Sequence, residues 1–230
     1  MNWQQFKWIS FDCYGTLIDW ESGILGYIRP LLRAKGCSAS DSQILNLYSE
    51  LEPGEQSGPY RTYREVLAGV MNGFARNLNF ELSAPEASGL ADSIADWKPF
   101  PDTVQALRKL KSRYKLAILS NIDDDLFAFT AKRLEVAFDL IVTAQQVRSY
   151  KPSQRNFETL LARIDATSHA LLHAAESLYH DVAPAGELGI ATVWVNRRQG
   201  KPAAATRLAD AKPDVEVASI GELAERGLSG

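Results

Sequence analysis

The chain has two patterns of apolar residues, one typical of strands that alternate with helices and one typical of helices alone. Residues 7–11 form a mostly apolar segment rich in aromatic and β-branched side chains, which is typical of a buried parallel strand. After residue 97, similar segments alternate with helical periodicity and predict strands at 115–119, 138–142, 170–175, 191–195 and 215–218, with helices at 103–111, 124–134, 155–164 and 184–188. Residues 201–212, rich in alanine and proline, predict a loop. The alternation predicts an α/β fold with a doubly wound parallel sheet.

Residues 19–96 have a different pattern, with apolar positions at helical spacing. The clearest amphipathic helix is predicted for residues 63–78, where apolar side chains recur three and four positions apart. Further helices are predicted around 24–32 and 41–52, and Ser83 to Glu86 has the spacing of a capping box for a fourth. We therefore predict a core formed by residues 1–18 and 97–230, and a helical cap domain formed by residues 19–96.

Composition narrows the class of protein. The chain has 230 residues, 46% of them hydrophobic, and a formal net charge of −3. The charge argues against nucleic acid as a partner and leaves a small molecule as the expected ligand. No apolar run has transmembrane length, and the N-terminus lacks the features of a signal peptide, so we expect no membrane segment and a cytoplasmic protein. Cys13 and Cys37 are too few for a disulfide framework.

Polar side chains follow the ends of several predicted strands. Asp12 comes directly after the first strand, Ser120 follows the second, and Lys151 lies in the loop after the third. Glu176 and Asp181 follow the fourth strand. Because the carboxyl ends of parallel strands lie at one edge of a sheet, we expect these side chains to share one crevice if the strands are neighbours. They would form a coherent nucleophile and acid/base set.

The motifs at these positions resemble those of the haloacid dehalogenase superfamily over nearly the whole chain. Residues 12–17 (Asp-Cys-Tyr-Gly-Thr-Leu) resemble its first motif, Ser120–Asn121 its second, Lys151–Pro152 its third and residues 176–181 its fourth. The resemblance implies a Rossmann-like core, a helical cap inserted after the first motif and an aspartate nucleophile at Asp12. It also implies a homodimer.

Tyr14 decides which branch of the superfamily the sequence favours. Phosphatases of the superfamily carry Asp-x-Asp-x-Thr, in which the second aspartate protonates the leaving alcohol, and Tyr14 stands at that position here. A phenol with an ordinary pKa of about 10 is poorly suited to acid work near neutral pH. Tyr14 instead resembles the L-2-haloacid dehalogenase branch, which implies that Asp12 attacks C2 of a small carboxylate and forms an ester that water cleaves. Lys151 would keep Asp12 ionised, and no cofactor is implied.

Several positions differ from that branch. Its second cap helix usually carries an arginine near the leaving group, but residues 47–50 contain none, and Arg61 and Arg64 are the candidates to replace it. Glu176 stands where the branch has serine, and Phe157 stands where it has tyrosine. These differences leave the release of a halide open.

The blocks around the motifs are more similar to those of the L-azetidine-2-carboxylate hydrolases. That resemblance implies that the ring nitrogen of a strained cyclic amino acid leaves from C2. Because a secondary amine is cationic at neutral pH, an acidic pocket formed by Glu176, Asp181 or Glu50 would suit this leaving group better than an arginine.

Two other classes of function stay open. Glu176 and Asp181, five residues apart, resemble the metal ligands of the superfamily's phosphatases in their spacing, and this resemblance implies that they could hold Mg²⁺ together with Asp12 through oxygen atoms. Glu176 is otherwise expected to pair with Lys151. A regulatory protein with a degenerate fold would lack the nucleophile, Ser120 or the lysine, and all three are present.

The residues expected to contact the substrate surround the catalytic set of Asp12, Lys151, Asp181 and Ser120. They are Cys13, Tyr14, Thr16, Trp20, Asn121, Phe157, Glu176 and His180. Ser120 and the backbone amides after Asp12 would bind the substrate carboxylate. The Cys13 side chain is expected to pack rather than react, and His180 is either a pocket wall or a general base.

Overall fold

A computed structural model describes residues 1–164, 166–198 and 209–229. Residues 201–208 of the predicted loop at 201–212 lie outside the described residues. No helix in the part of the chain that the structure describes is long and apolar enough to cross a membrane.

The centre of the fold is a parallel sheet of six described strands. They are β1 (Trp8–Phe11), β2 (Lys115–Ser120), β3 (Leu140–Thr143), β4 (Leu171–Ala175), β5 (Ala191–Val195) and β6 (Val215–Val217). The strands are ordered β3-β2-β1-β4-β5-β6. The first strand of the chain therefore lies between β2 and β4, and the predicted parallel α/β sheet is confirmed.

Helices connect these strands and fill the insertion after β1. Those before β2 are α1 (Trp20–Ala34), α2 (Asp41–Gln56), α3 (Tyr63–Leu78), α4 (Ala84–Ser93) and α5 (Thr103–Lys111). Those after β2 are α6 (Asp124–Leu134), α7 (Ala144–Val147), α8 (Gln154–Arg163), α9 (Ala183–Glu187) and α10 (Ile220–Leu228). The sequence patterns did not predict α7 or α10.

Both faces of β1 are covered, which explains why its residues are almost all apolar. Ile9 and Phe11 belong to one hydrophobic cluster, whereas Trp8 belongs to a second cluster on the other face. Ser10 is fully buried as well, and its hydroxyl lies 2.8 Å from Nδ1 of His173. A buried hydroxyl in a central strand is therefore paired rather than left without a partner.

The helices α1–α4, which we call the inserted helices, begin at the capping residues that the sequence contains. Thr62 and Glu65 form a capping box at the start of α3, and Ser83 and Glu86 form another at α4. The inserted helices share a hydrophobic cluster with the sheet, because Val66 and other α3 residues belong to the same cluster as the β1 side chains. The division into two domains at residues 18/19 and 96/97 stays a prediction.

Strand β3 begins two residues later than the apolar pattern predicts. Asp139 accepts the backbone N–H of Leu116 with its carboxylate at 2.8 Å, and its own N–H donates to the Leu116 carbonyl at 2.8 Å. Its side chain thus replaces a backbone carbonyl at the edge of the sheet, and the regular strand ladder starts only at Leu140.

Candidate active site

Lys151 lies at the centre of the site, where its ammonium group has three oxygen partners. Nζ donates to Oδ1 of Asp12 at 2.8 Å, to Oδ1 of Asp181 at 2.6 Å and to the Leu119 carbonyl at 2.9 Å. The Lys151 side chain is only 2% exposed. The polar residues that follow β1, β3 and β4 therefore do meet at one edge of the sheet.

Asn121, directly after β2, holds the main chain from which this lysine extends. Its Oδ1 accepts the N–H of Lys151 at 2.7 Å, and its Nδ2 donates to the Lys151 carbonyl at 3.1 Å. The two-way pairing joins the loops after β2 and β3, so it fixes the starting point of the lysine side chain.

A tight turn after β1 orients Asp12. Gly15 has a φ of 95°, in the left-handed region, and a Cβ at this position would lie 3.1 Å from the indole nitrogen of Trp20. The turn brings Thr16 back to the strand end, where its hydroxyl donates to Oδ2 of Asp12 at 2.9 Å. The same hydroxyl oxygen accepts the N–H of Glu176 at 2.9 Å. Thr16 therefore ties the nucleophile candidate to the loop after β4.

Asp181 is held by a second line of contacts through the sheet. It lies in the helical turn Leu178–Val182 and is 1% exposed. Its Oδ1 is 2.9 Å from Nε2 of His173 in β4, and Nδ1 of His173 is 2.8 Å from the Ser10 hydroxyl. His173 therefore links Asp181 to Ser10 in the neighbouring strand β1.

The pKa values of the two buried carboxylates, Asp12 and Asp181, are shifted in opposite directions. Burial and the neighbouring Asp181 raise the pKa of Asp12, against the opposing effect of Lys151. Burial also acts to raise the pKa of Asp181, but the charge of Lys151 and the contact with His173 outweigh it and lower this pKa. Burial acts to lower the pKa of Lys151, and the two carboxylates raise it instead. Lys151 therefore stays charged, and Asp12 protonates before Asp181 as the pH falls.

Tyr14 is turned toward the α6 side of the site. Its hydroxyl lies 2.8 Å from Oγ1 of Thr130, and its ring packs edge-on against Trp97 with centroids 5.8 Å apart. Burial raises the pKa of Tyr14 well above its usual range. A phenol with these contacts is poorly suited to protonate a leaving alcohol.

Two buried oxygen atoms at the site have no hydrogen-bond partner among the described residues. They are Oγ of Ser120 and Oδ2 of Asp181. Buried polar atoms in folded proteins are almost always paired. Because both residues line the cavity, these atoms are suited to bind a substrate or a water molecule.

The cavity at this edge of the sheet is small. Its volume is about 50 Å³, and roughly 10–15 Å³ is enough for one water molecule. The cavity therefore suits a substrate of a few non-hydrogen atoms. Its walls are formed by Asp12, Tyr14, Trp20, Glu52, Tyr63, Ser120, Asn121, Lys151, Glu176, Ser177, His180 and Asp181.

Three residues expected to contact the substrate lie behind the cavity wall. Cys13 is fully buried in the hydrophobic cluster, and burial raises the pKa of its thiol well above the usual range. Thr16 is fully buried and engaged with Asp12 and Glu176. Phe157 is also fully buried, with its ring centroid 5.2 Å from that of His173. Their side chains support the residues that line the cavity rather than lining it themselves.

Glu176 and His180 both line the cavity, and each contacts a side chain that the sequence did not predict. The carboxylate partners of Lys151 are the two aspartates, whereas Glu176 lies 3.7 Å from Nε of Arg198. Nδ1 of His180 lies 3.1 Å from the Ser177 hydroxyl. The expected pairing of Glu176 with Lys151 is therefore wrong.

The ligand set for Mg²⁺ that the phosphatase alternative requires is not assembled. Nζ of Lys151 bridges Asp12 and Asp181, and Glu176 is turned toward Arg198. Within residues 1–164, 166–198 and 209–229, no three His, Cys, Asp or Glu side chains are placed to hold a metal ion together.

Neither arginine that the sequence offered as a leaving-group contact reaches the cavity. Arg61 pairs with Glu55 at 2.8 Å and its side chain is 42% exposed. Arg64 pairs with Asp92 and Asp125, each at 2.8 Å, and its side chain is 38% exposed. Among the described residues that form the cavity walls, none is an arginine.

The acidic residue that the inserted helices bring to the cavity is Glu52 rather than the expected Glu50. Glu50 is exposed, whereas Glu52 is 7% exposed and lines the cavity together with Tyr63. Glu52 lies one helical turn after Tyr48, so it shares the buried face of α2. This spacing was the available signal, and the sequence interpretation missed it.

Comparison with known proteins agrees with this geometry. The chain belongs to the haloacid dehalogenase-like hydrolase family, whose model matches residues 6–189. It is 29% identical over 196 residues to the (S)-2-haloacid dehalogenase of Pseudomonas sp. (strain YL), covering 83% of each chain. It is also 30% identical over 165 residues to the glyceraldehyde 3-phosphate phosphatase of Methanothermobacter thermautotrophicus, covering 63% of this chain and 70% of the phosphatase.

Solved structures share the fold. A crystal structure of an L-2-haloacid dehalogenase matches with a TM-score of 0.82 and 20% identity, covering 98% of this chain and all (100%) of the other. The L-2-haloacid dehalogenase of Xanthobacter autotrophicus with chloropropionic acid covalently bound matches with a TM-score of 0.79 and 20% identity, covering 97% and 99%. At this identity the matches establish the fold.

Proposed function

We propose that the protein hydrolyses the bond between C2 and its leaving group in a small 2-substituted carboxylate. An oxygen of Asp12 forms a bond to C2, and the C2 bond to the leaving group breaks with its electron pair on the departing atom. Water then adds to the carbonyl carbon of the aspartyl ester, which releases a 2-hydroxy acid and restores the Asp12 carboxylate. The product hydroxyl oxygen comes from Asp12, and the oxygen of water enters the enzyme.

The observation that carries the proposal is the bridge formed by Lys151. Its ammonium group contacts Asp12 at 2.8 Å and occupies the position at which a bound cation would otherwise balance the carboxylates. A buried positive charge favours the ionised nucleophile, so the first step needs no metal ion. The (S)-2-haloacid dehalogenase name of a relative that is 29% identical supports the same class of substrate.

Asp181 is suited to the second step. Its Oδ1 is engaged by Lys151 and His173, whereas its buried Oδ2 has no partner among the described residues. The lowered pKa of Asp181 keeps this oxygen ionised, so it can accept a hydrogen bond from the water molecule. We assign Asp181 as the group that orients the hydrolytic water.

Ser120 is suited to bind the substrate carboxylate. Its Oγ is buried at the cavity without a described partner, and Ser120 is the last residue of β2, which pairs with the nucleophile strand β1. The hydroxyl would donate to the substrate carboxylate and direct C2 toward Asp12. The inserted helices would act as a cap that excludes water from the first step.

The leaving group is either a halide or the ring nitrogen of L-azetidine-2-carboxylate. The acidic cavity without a described arginine favours the nitrogen, and the dehalogenase relatives favour the halide. A homodimer stays a prediction from the family resemblance, and a cytoplasmic location stays a prediction from the sequence.

A proton NMR time course tests the proposal. The purified protein is incubated with EDTA, L-azetidine-2-carboxylate and L-2-chloropropionate, and an Asp12→Asn variant serves as the control. Consumption of either compound by the wild type and not by the variant is the expected result. Persistence of both compounds would remove these two substrates from the proposal.

A Mg²⁺-dependent phosphatase is the second candidate, and the similarity to a glyceraldehyde 3-phosphate phosphatase favours it. The contacts of Lys151 and Tyr14 weigh against it. Release of inorganic phosphate from small phosphate esters, measured with Mg²⁺ and with EDTA, distinguishes the two activities.

A further inference from the structure

Glu52 is a buried carboxylate that the Asp12 chemistry does not use. Its Oε1 accepts the Tyr63 hydroxyl at 2.8 Å and Nε2 of Gln56 at 3.0 Å, and the Tyr63 hydroxyl lies 3.1 Å from that of Tyr48. The side chain is 7% exposed and lines the cavity. A carboxylate is rarely this buried unless it is paired with a cation, and its partners among the described residues are neutral.

The cavity around Glu52 carries an excess of negative charge. Its described walls contain four carboxylates, Asp12, Glu52, Glu176 and Asp181, and one ammonium group, that of Lys151. Lys151 is already engaged by Asp12 and Asp181, and Arg198, which is not part of the wall, lies 3.7 Å from Glu176. Glu52 is therefore the wall carboxylate whose described hydrogen-bond partners are all neutral. Charge complementarity at Glu52 therefore favours a cationic substituent and disfavours a halide leaving as an anion.

Hydrogen bonds between the core and the start of α3 fix the position of Glu52 relative to the site. The backbone N–H groups of Tyr63 and Arg64 donate to the two carboxylate oxygens of Asp123 at 2.9 and 3.0 Å. Asp123 lies in the loop that begins directly after Ser120, the last residue of β2, so the core fixes the start of α3 and with it the tyrosine that contacts Glu52. The Glu52 carboxylate is therefore held in a fixed position relative to the site.

We propose that Glu52 is a specificity-determining residue that selects small 2-carboxylates whose C2 substituent is a protonated ring or secondary amine. The inference rests on the proposed function, in which Asp12 attacks C2. As the Asp12 oxygen bonds to C2, the C2–N bond breaks and its electron pair stays on nitrogen. In a ring substrate the nitrogen becomes a neutral amine that keeps its two hydrogens and stays attached to the product through its other carbon. When water cleaves the ester, its oxygen stays on Asp12, one of its protons goes to the product hydroxyl, and the other goes to the amine, which becomes the ammonium group of the 2-hydroxy acid.

The ionisation of Glu52 supports this role. Burial raises its pKa to about 7, although the contacts with Tyr63 and Tyr48 oppose the rise. A cation bound beside the carboxylate would lower this pKa, so binding near neutral pH would release a proton. The other charged or titratable groups that line the same cavity in the described residues are Asp12, Tyr14, Tyr63, Lys151, Glu176, His180 and Asp181.

Binding to an inactive variant tests the proposal without turnover. In an Asp12→Asn background, calorimetry compares L-azetidine-2-carboxylate with cyclobutanecarboxylate, a ring of the same size without the positive nitrogen. We expect the azetidine to bind about tenfold more tightly or better, and Glu52→Gln added to this background to abolish the preference. Glu50→Gln is the matched control, because Glu50 is exposed on the same helix, and it should keep the preference.

The outcomes separate this inference from the proposed function. Equal binding of the two ring compounds, or an unchanged preference after Glu52→Gln, would overturn the role of Glu52 even if the enzyme hydrolyses L-2-chloropropionate. A preference that depends on Glu52 would support the inference even if no aspartyl ester forms. Absence of the ester would instead contradict the proposed displacement at C2. In the otherwise wild-type enzyme, Glu52→Gln should raise KM for the cationic substrate more than it lowers kcat.

Discussion

At the scale of single residues, the site depends on one ammonium group shared by two buried carboxylates. Lys151 is 2% exposed, and its two partners are Asp12 and Asp181. Removing one member of a buried charged set leaves uncompensated charge in a medium that solvates it poorly, which costs more than the intact set contributes. The lysine therefore supports both the fold and the proposed nucleophile.

Lys151→Met should lose activity and stability together. It leaves two carboxylates without their ammonium partner, so we expect the free energy of unfolding to fall by about 3–5 kcal/mol. Urea unfolding measures this loss, and Lys109→Met, at an exposed position, is the control. A loss no larger than that of the control would show that Lys151 does not balance the buried carboxylates.

Tyr14→Phe should leave turnover nearly intact. The substitution removes one hydrogen bond to Thr130, which contributes about 1 kcal/mol to stability, and no proton-transfer group. We expect kcat for the C2 displacement to change by less than about threefold, whereas loss of a general acid costs roughly 100-fold or more. Steady-state kinetics distinguish these results, and a loss of the larger size would assign Tyr14 an acid role.

Some residues of the site could be predicted from the sequence, and others were not. Asp12, Ser120 and Lys151 were predicted to share a crevice because each follows a strand, and strand ends can be predicted from apolar patterns. The contact of His173 with Asp181 was not predicted, because one polar residue in a sequence does not specify its side-chain partner. The burial of Glu52 was missed although its spacing of four residues from Tyr48 places it on the buried face of α2.

At the scale of elements, Asp123 connects the core to the inserted helices. Both of its carboxylate oxygens accept backbone N–H groups from the first turn of α3, at Tyr63 and Arg64. This turn also has its own capping box from Thr62. The carboxylate therefore satisfies helix N–H groups from another part of the fold and sets where α3 begins over the cavity.

Asp123→Ala should weaken this connection. Hydrogen bonds to a charged group contribute about 1.5–3 kcal/mol, and we expect a loss of stability in that range together with a higher KM. The control is Asp125→Ala, since Asp125 forms an exposed ion pair with Arg64 that contributes at most about 1 kcal/mol. Chemical denaturation and steady-state kinetics provide the measurements. Equal effects of the two substitutions would argue that Asp123 has no special role in placing α3.

At the scale of the whole molecule, the order of the strands determines which loops meet. The alternating pattern predicted parallel strands and the start and end of α3 and α6, but a pattern of apolar runs does not state which strands are neighbours. The structure places β1 between β2 and β4, which joins the loops bearing Asp12, Ser120 and Asp181. The helix α7 was missed because it has only four residues. The helix α10 is as long as the predicted α5, and its buried positions Ile220, Leu223 and Ala224 have helical spacing, so the sequence held a signal for it that was missed.

The free energy of unfolding should depend on pH through the ionisation of Asp12. The folded-state pKa of Asp12 is raised, so the folded protein binds this proton more tightly than the unfolded chain does. Its contribution is thus favourable at low pH and is lost as the pH rises through the folded-state pKa. Asp12→Asn should therefore be more stable than the wild type at neutral pH, and the difference should shrink as the pH falls.

Urea unfolding of both proteins from about pH 5 to about pH 8 measures this difference. A wild type that is more stable than Asp12→Asn at neutral pH would show that Lys151 stabilises the ionised Asp12 more than burial and Asp181 disfavour it.

The most direct test of Asp12 as the nucleophile is a single turnover in oxygen-18 water with enzyme in excess over L-azetidine-2-carboxylate or L-2-chloropropionate. If Asp12 forms the ester and water attacks its carbonyl, mass spectrometry will find oxygen-18 in the peptide that contains Asp12 and none in the first product released. Oxygen-18 in that product with an unlabelled Asp12 peptide would mean that water attacks C2 directly, and it would contradict the proposed mechanism.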